Sequence, residues 1–490
     1  MQALFFFCSR KAPASDNLPG VCSVFAERMK LFSIVLMIVS AFVNAAYSQI
    51  SVSVSVDTSA PVCTIPDDFT GFSFETRRVN YNSDGVAGYF FDSTNTQAVA
   101  LFRQIGVKSL RVGGGSVDQP QVPIPTSKDI DALFRFAKAA DVKVIYSLRL
   151  ADADAGQNAS IAKYIWDNYR DSLDCFTIGN EPKKYSAFSK QWKIMADAIV
   201  KAVPEAKFCG PAPVSSMDGG AEQICDFASD FGKTGLIKFV TAHDYPGGNA
   251  LRNATDGNSG RDQMLSGAWL EHYQVFYDQF VPAVTAVGLK YKFDEASSFY
   301  KGGAKDASDT FAASLWCLDF MHWWAAHGCS GINFHNNRWP MYNITICKDA
   351  AGNYQTRPQG YGIKAFDIGG HGKVVPTTVS RTGMRAYGVI DSSNLYLTII
   401  NKEHGEYGRD ADVTVKGIEI KDPVGIMYLR APNNDVSTTA GITLGNATIN
   451  NSGEWQGKWA ALQRPAERPL KIPVSAASAA IVKIPLPGKE

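Results

Sequence analysis

Between residue 69 and about residue 366, short apolar runs alternate with stretches whose apolar residues recur at helical spacing. The runs at 69–75, 109–114, 143–150, 175–181, 206–213, 238–245, 291–296 and 331–336 read as buried strands. Helical spacing lies between them, for example at 96–105, 130–140, 161–169, 188–203 and 307–327. Eight strands, each followed by a helix, predict a (β/α)8 TIM barrel. The alternative is an open doubly wound sheet. That fold usually carries a glycine-rich phosphate turn after its first strand, and Gly71-Phe-Ser-Phe-Glu75 is not one.

Beyond residue 372 the pattern changes. The stretches 394–401, 412–415, 424–429 and 479–484 alternate or run apolar, with Gly, Pro and Asn turns between them. This predicts a C-terminal antiparallel β-sandwich domain, read as a packing or orienting module. The alternating run Ile50-Ser-Val-Ser-Val-Ser-Val56 precedes the barrel and is expected to join that sandwich. The division that follows is a leader at 1–48, an N-terminal strand segment at 49–68, a barrel at 69–371 and a sandwich at 372–490.

The leader changes where the protein is expected to act. Lys30 supplies a positive start, 31–43 form an apolar run, and Ala46-Tyr-Ser48 fits a small-residue cleavage site before Gln49. The run is shorter than the roughly 20 residues a spanning helix needs, so Met29 to Ser48 reads as a secretory signal and not as an anchor. Residues 1–28 lie ahead of it and read as the product of an upstream start codon. The expected location is secreted or extracellular, or periplasmic in a bacterium. Sequons at Asn158, Asn253, Asn343, Asn446 and Asn450 would be surface glycosylation sites in a eukaryotic host.

Composition narrows the partners. Of 490 residues, 45% are hydrophobic and 19% charged, which is ordinary for a globular enzyme, and the net charge of +1 offers no field for nucleic acid or an anionic membrane. Seven cysteines follow the signal, an odd number that leaves at least one thiol free. Cys209 with Cys225, and Cys317 with Cys329, are the disulfide candidates. No CxxC pair or Cys/His cluster has zinc-ligand spacing, so neither a metal nor a cofactor is expected.

Polar residues gather at one end of the predicted strands: Glu75, Arg111, Arg149, Asn180, Glu181, His243, Tyr245, Glu295, His335 and Asn336. In a barrel that end surrounds one shared mouth and carries the active site. Two runs stand out, Phe176-Thr-Ile-Gly-Asn-Glu181-Pro182 and Phe293-Asp-Glu295-Ala-Ser-Ser298. A glutamate ending an apolar strand is costly unless it is paired, hydrogen-bonded or put to use. Glu181, on the fourth strand, is the candidate general acid, protonated when a leaving oxygen departs. Glu295, on the seventh, is the candidate nucleophile, with Tyr245 and Tyr300 as its donors. Asn180 offers an amide to a sugar hydroxyl. Strands four and seven face each other across a mouth, so the two carboxylates can approach to the roughly 5 Å that retention requires. Asp294 is expected to point to the opposite side of its strand from Glu295. His243-Asp-Tyr245 has no third ligand spaced to complete a metal site.

The segments Ile178-Gly-Asn-Glu-Pro182, Asp294-Glu-Ala-Ser-Ser-Phe-Tyr300-Lys-Gly-Gly303 and Leu110-Arg-Val-Gly-Gly114 resemble clan A glycoside hydrolases. More narrowly they are similar to glycoside hydrolase family 79, the β-glucuronidases and heparanase-like enzymes. The resemblance spans about residues 50 to 490 and implies a barrel paired with a β-sandwich. It implies Glu181 as acid/base, Glu295 as nucleophile and Asn180 near the sugar 2-hydroxyl. It also implies that Tyr300 and the Gly360-Tyr361 pair hold a glucuronate carboxylate. Gly113-Gly-Gly-Ser-Val-Asp118 departs from the family's Gly-Gly-Asn or Gly-Gly-Thr pattern, which leaves the roles of Ser116 and Asp118 open, with Asp118 the candidate for a sugar-hydroxyl contact. Arg111, His243 and Tyr245 complete the expected sugar-binding set.

The function expected is a secreted, retaining, exo-acting β-glucuronidase that removes terminal glucuronate, or its 4-O-methyl form, from a glycan. An endo-acting heparanase-like or other clan A β-glycosidase is the alternative; a sulfated substrate would favour a more basic cleft. A non-catalytic carbohydrate-binding barrel is the reading from another class.

Overall fold

The computed structural model describes residues 49–337, 341–420, 423–452, 454–462 and 469–486. The segment 1–48, in which an export signal is expected, lies outside them. Residues Ile50–Glu490 form one compact unit. Two strands precede the barrel, β1 (Ile50–Val56) and β2 (Cys63–Ile65). The barrel strands follow as β3 (Thr70–Glu75), β4 (Ser109–Gly113), β5 (Lys143–Leu148) and β6 (Leu173–Ile178). It continues through β7 (Phe208–Val214), β8 (Ile237–Asp244), β9 (Lys290–Ala296) and β10 (Ile332–Asn336). All eight pair in parallel and in sequence, and β10 closes on β3. This is the predicted (β/α)8 barrel.

The strands are buried on both faces, so their sequences run apolar where a half-exposed strand would alternate. Phe72 and Phe102 meet edge to face at 5.1 Å, Trp192 meets Phe208 at 5.5 Å, and Trp324 meets Phe293 at 4.6 Å. Each contact locks a helix to the outside of a strand.

Between β8 and β9 the register slips. Ala242 faces Phe293 and His243 faces Glu295, so Asp294 has no partner on β8. A bulge of this kind inserts one residue and breaks the two-residue alternation. Asp294 and Glu295 therefore both approach Arg111 inside the barrel, at 3.7 and 2.6 Å. The expectation that Asp294 points the other way is corrected.

The sandwich has two sheets. One runs Thr377–Val379, β1, Ala411–Lys416, Lys471–Val474; the other has eight strands, including Asn394–Asn401, Ser478–Pro485 and β2. Val52, Val54 and Val56 point into its core and the serines between them do not. The sandwich is not wholly antiparallel, because β1 lies parallel to Ala411–Lys416. Those strands are far apart in sequence, and only near neighbours joined by a tight hairpin must run antiparallel.

The helix Phe311–Ala326 is buried along its whole length. Asp319 on this helix accepts hydrogen bonds from Lys402 Nζ at 2.8 Å and Tyr387 OH at 2.6 Å, both from the sandwich. His322, one turn on, stacks on Tyr387 at 5.0 Å, and burial lowers its pKa to about 3, keeping it neutral. Lys402 is 5% exposed and Asp319 2%. Asp319→Ala leaves that ammonium buried and unpaired, and should cost about 3–5 kcal/mol in denaturant unfolding. Asp319→Leu with Lys402→Met removes both charges and should recover much of the loss. A single-variant cost below about 1 kcal/mol, the value of an exposed pair, would mean that water reaches the lysine.

The seven cysteines of the described chain are all free, so neither expected disulfide forms. Cys209 lies instead beside Cys175 inside the barrel, within hydrogen-bonding contact of it. Asn158 and Asn343 are also not surface sites. Both are buried, with side-chain amides donated to Arg149 O and Phe299 O, whereas Asn253, Asn446 and Asn450 are exposed.

Candidate active site

Arg111 organises the barrel mouth from below. It comes from β4, is wholly buried, and donates Nη1 to Glu295 Oε2 at 2.6 Å and to Ser73 Oγ at 3.1 Å. Its Nη2 donates to Asn180 Oδ1 at 2.7 Å. A guanidinium presents donors in a fixed fork, so one side chain ties β3, β4, β9 and the turn after β6 together. Arg111 is therefore a support under the floor and not the sugar contact expected of it. Asn180 Oδ1 is committed to Arg111, which leaves its amide NH2 for a hydroxyl.

Glu295 is 9% exposed at its side chain and held at both oxygens. Oε2 accepts from Arg111, and Oε1 accepts from Tyr245 OH at 2.6 Å, as the sequence led us to expect of that tyrosine. His335 Nδ1 lies 3.5 Å from Oε2. Burial disfavours the charged carboxylate. His335, His243, Arg111 and the Tyr245 hydroxyl outweigh it and hold Glu295 well below the usual carboxylate range. It is ionised and fixed in direction. The same carboxylate, after burial, pushes the Tyr245 phenol up.

Glu181 has a different setting. The strand before it ends at Ile178, earlier than expected, and the chain turns through Gly179 at φ 79° and Glu181 itself at φ 45°. A left-handed glutamate is a local strain, held here by the fit around it. A Cβ on Gly179 would sit 3.0 Å from the Leu150 side chain, so only glycine fits this turn. Glu181 Oε1 lies 2.8 Å from His243 Nδ1, and the rest of the carboxyl faces the mouth with 37% of the side chain exposed. Burial opposes a charge on His243. Glu295, the Glu181 hydrogen bond and Asp294 raise its pKa all the same.

Oxygens of Glu181 and Glu295 and a ring nitrogen of His243 lie within 4.8 Å of one another. The arrangement does not suit a metal: His243 Nδ1 is engaged with Glu181, and both oxygens of Glu295 are engaged with Arg111 and Tyr245. The two carboxylates open on a cavity of about 560 Å³, also lined by Glu75, Tyr245, Tyr300, Lys301 and Asn343. A second cavity of about 420 Å³ shares Ser216 and Met217 with it and is walled by Asp218, Glu222, Asn253 and His272.

Some expected contacts lie elsewhere. Gly360 and Tyr361 sit in the helix Pro358–Gly369, which packs on the helix Phe311–Ala326 and on the sandwich. Tyr361 OH accepts from Ile449 N at 3.2 Å, and a Cβ on Gly360 would strike Thr356. They pack the interface and do not line the cavity. Asp118 receives the backbone N–H groups of Leu150, Ala151 and Asn180 at 2.7, 2.9 and 3.2 Å, so it aims the Asn180 turn and does not meet a sugar hydroxyl. Arg149 clamps the carbonyls of Val117 and Gln119, and Asn336 binds the N–H of Thr345. Tyr300 lies on the cavity wall beside Tyr245, but the donors that hold Glu295 are Arg111 and Tyr245, so the expected bond from Tyr300 to Glu295 is corrected.

Two residues were underweighted in the sequence. His335 lies beside Glu295, with Nδ1 3.5 Å from Oε2; its signal was its place at the end of the last strand. Glu75 lines the cavity with Oε2 accepting from Ser116 N at 2.8 Å. A Cβ on Gly114 would come 2.6 Å from that carboxyl, so glycine at 114 makes room for Glu75.

No protein-family model matches this chain, and no curated protein matches it. Among solved structures, it is similar to a 4-O-α-L-rhamnosyl-β-D-glucuronidase from Fusarium oxysporum 12S, with TM-score 0.67 at 17% identity over 87% of this chain and 99% of that one. A GH51 arabinofuranosidase from Xanthomonas axonopodis pv. citri gives TM-score 0.67 at 12% identity, over 89% of this chain and 100% of the other. A bifunctional glucanase-xylanase from a metagenome library gives 0.58 at 12%, over 90% and 100%. At such identities the likeness establishes the fold, a TIM barrel with an appended β domain, shared with proteins that are glycoside hydrolases.

Proposed function

We propose that this chain is a retaining glycoside hydrolase that removes a terminal β-linked glucuronate from a glycan. One observation carries the reaction class: Glu181, from the turn after β6, and Glu295, from β9, approach within 4.8 Å over a cavity, the first part-exposed and the second buried and held at both oxygens. That spacing is too short for a water to stand between them and fits the roughly 5–5.5 Å of retaining enzymes. Glu295 attacks the anomeric carbon while the bond to the leaving oxygen breaks and Glu181 gives that oxygen its proton. Water then attacks the glycosyl-enzyme ester, Glu181 takes its proton, and Glu295 leaves as a carboxylate. The second cavity gives room for a polar leaving group. The uronate reading rests on the family resemblance carried by residues 294–303. The leader sequence supports export as the setting.

The test is turnover of an aryl β-glycoside panel comprising the glucuronide, glucoside, galactoside and xyloside, with the first-formed anomer read by NMR. We expect the glucuronide to lead and the product to be the β-anomer. An α-anomer would overturn retention. A neutral glycoside in the lead would overturn the sugar while leaving the carboxylate pair in place.

A further inference from the structure

We infer that Lys301 is the group that recognises the charged end of the substrate, an inference that rests on the uronate reading above. With Gly360 and Tyr361 packed into the interface, the cavity lacks the carboxylate site first expected of them. Its walls carry the carboxyl groups of Glu75, Glu181 and Glu295, and the ionised Glu295 opposes an anionic sugar. Arg111 and His243 are wholly buried and already engaged with Glu295, Asn180 and Glu181, and His335, also on the cavity wall, lies 3.5 Å from Glu295 Oε2. Lys301 is the sole lysine or arginine among the described residues lining the cavity, and it is exposed.

The backbone holds it there at a cost. Lys301 has φ 63°, and Gly302 and Gly303 follow at 87° and 83°. Glycine suits such a run; a lysine is strained in it, and strain of this kind persists where neighbours impose it. Neighbours do so on both sides. Tyr300 N donates to Gly248 O at 2.9 Å, and Tyr342 N donates to Gly302 O at 2.7 Å. A Cβ on Gly303 would meet Asn343 N at 2.6 Å, so the turn cannot shift outward. Lys301 is thus carried next to Tyr300 on a pinned turn, in the wall of the cavity that also holds Glu75, Glu181 and Glu295. A ring carboxylate reaching this wall would gain a charge-assisted bond from Lys301, with the Tyr300 hydroxyl as a second donor.

The experiment compares kcat/KM for an aryl β-glucuronide with that for its methyl ester, which keeps the shape and removes the charge. In the wild type the acid should be preferred. Lys301→Gln should lower that preference by about 10- to 100-fold, the usual worth of a charge-assisted hydrogen bond, and Lys301→Arg should restore part of it. Lys301→Gly also removes the ammonium but relaxes the backbone, so a lost preference with an undiminished Tm excludes misfolding as the cause. If the wild type prefers the acid and both neutral variants keep that preference, Lys301 is not the determinant. If the wild type does not prefer the acid, the uronate reading falls and this inference with it.

Discussion

Glu295→Ala should slow turnover of aryl β-glycosides by at least about 10⁴-fold, the scale of loss when a covalent nucleophile is removed. The variant loses the only group positioned to form the ester, and it leaves Arg111 and Tyr245 facing an empty space. A small anion can fill that space. Azide should restore turnover and yield the α-glycosyl azide, since it attacks from the side the carboxylate occupied. Because an orphaned buried guanidinium strains the fold, Glu295→Gln serves as the second variant; it keeps hydrogen-bonding atoms at both positions but not the charge. Retained activity in both variants would remove Glu295 from its role.

Glu181→Gln should show a loss that depends on the leaving group. General acid assistance is typically worth about 10²- to 10⁴-fold, and it matters least when the departing oxygen needs no proton. The bond-breaking step should therefore suffer the full loss on alkyl or sugar aglycones and little on dinitrophenyl ones. Azide here intercepts the glycosyl-enzyme from the other face and gives the β-glycosyl azide. The two variants thus predict opposite anomers from one reagent. Equal losses across leaving groups would transfer the acid role to another residue, with His243, 2.8 Å away, the first to test.

Much of this was legible in the chain. All eight barrel strands were placed within a few residues, because strands buried on both faces write themselves as apolar runs. The sandwich was read less fully. The strand Lys471–Val474 contains Pro473 and lies at a sheet edge, where a missing N–H is tolerated and the sequence signal is weak. Met384–Ile390 carries Gly388 in its middle, which masks its alternation. At the site, Glu181, Glu295 and Tyr245 were found from position on a strand. Side-chain direction was not. A one-residue bulge turned Asp294 inward, and no pattern in Phe293-Asp-Glu-Ala announces a bulge that is set by the neighbouring strand's register. Asp118 and Gly360-Tyr361 failed for the same reason: their partners, Leu150, Asn180 and Ile449, are distant in sequence.

The pairing of β1 bears on how such a chain comes to be folded. Barrel strands pair with the next strand made, so most of the barrel can assemble in the order of synthesis, closing when β10 arrives. β1 cannot. Its two neighbours are Thr377–Val379 and Ala411–Lys416, so it stays without partners until about three-quarters of the chain exists. Contacts this distant in sequence form slowly, and an unpaired alternating strand is open to wrong partners in the meantime. The serines between its valines keep one face of that waiting strand wettable. The first of the described strands to be made is thus among the last that can be placed.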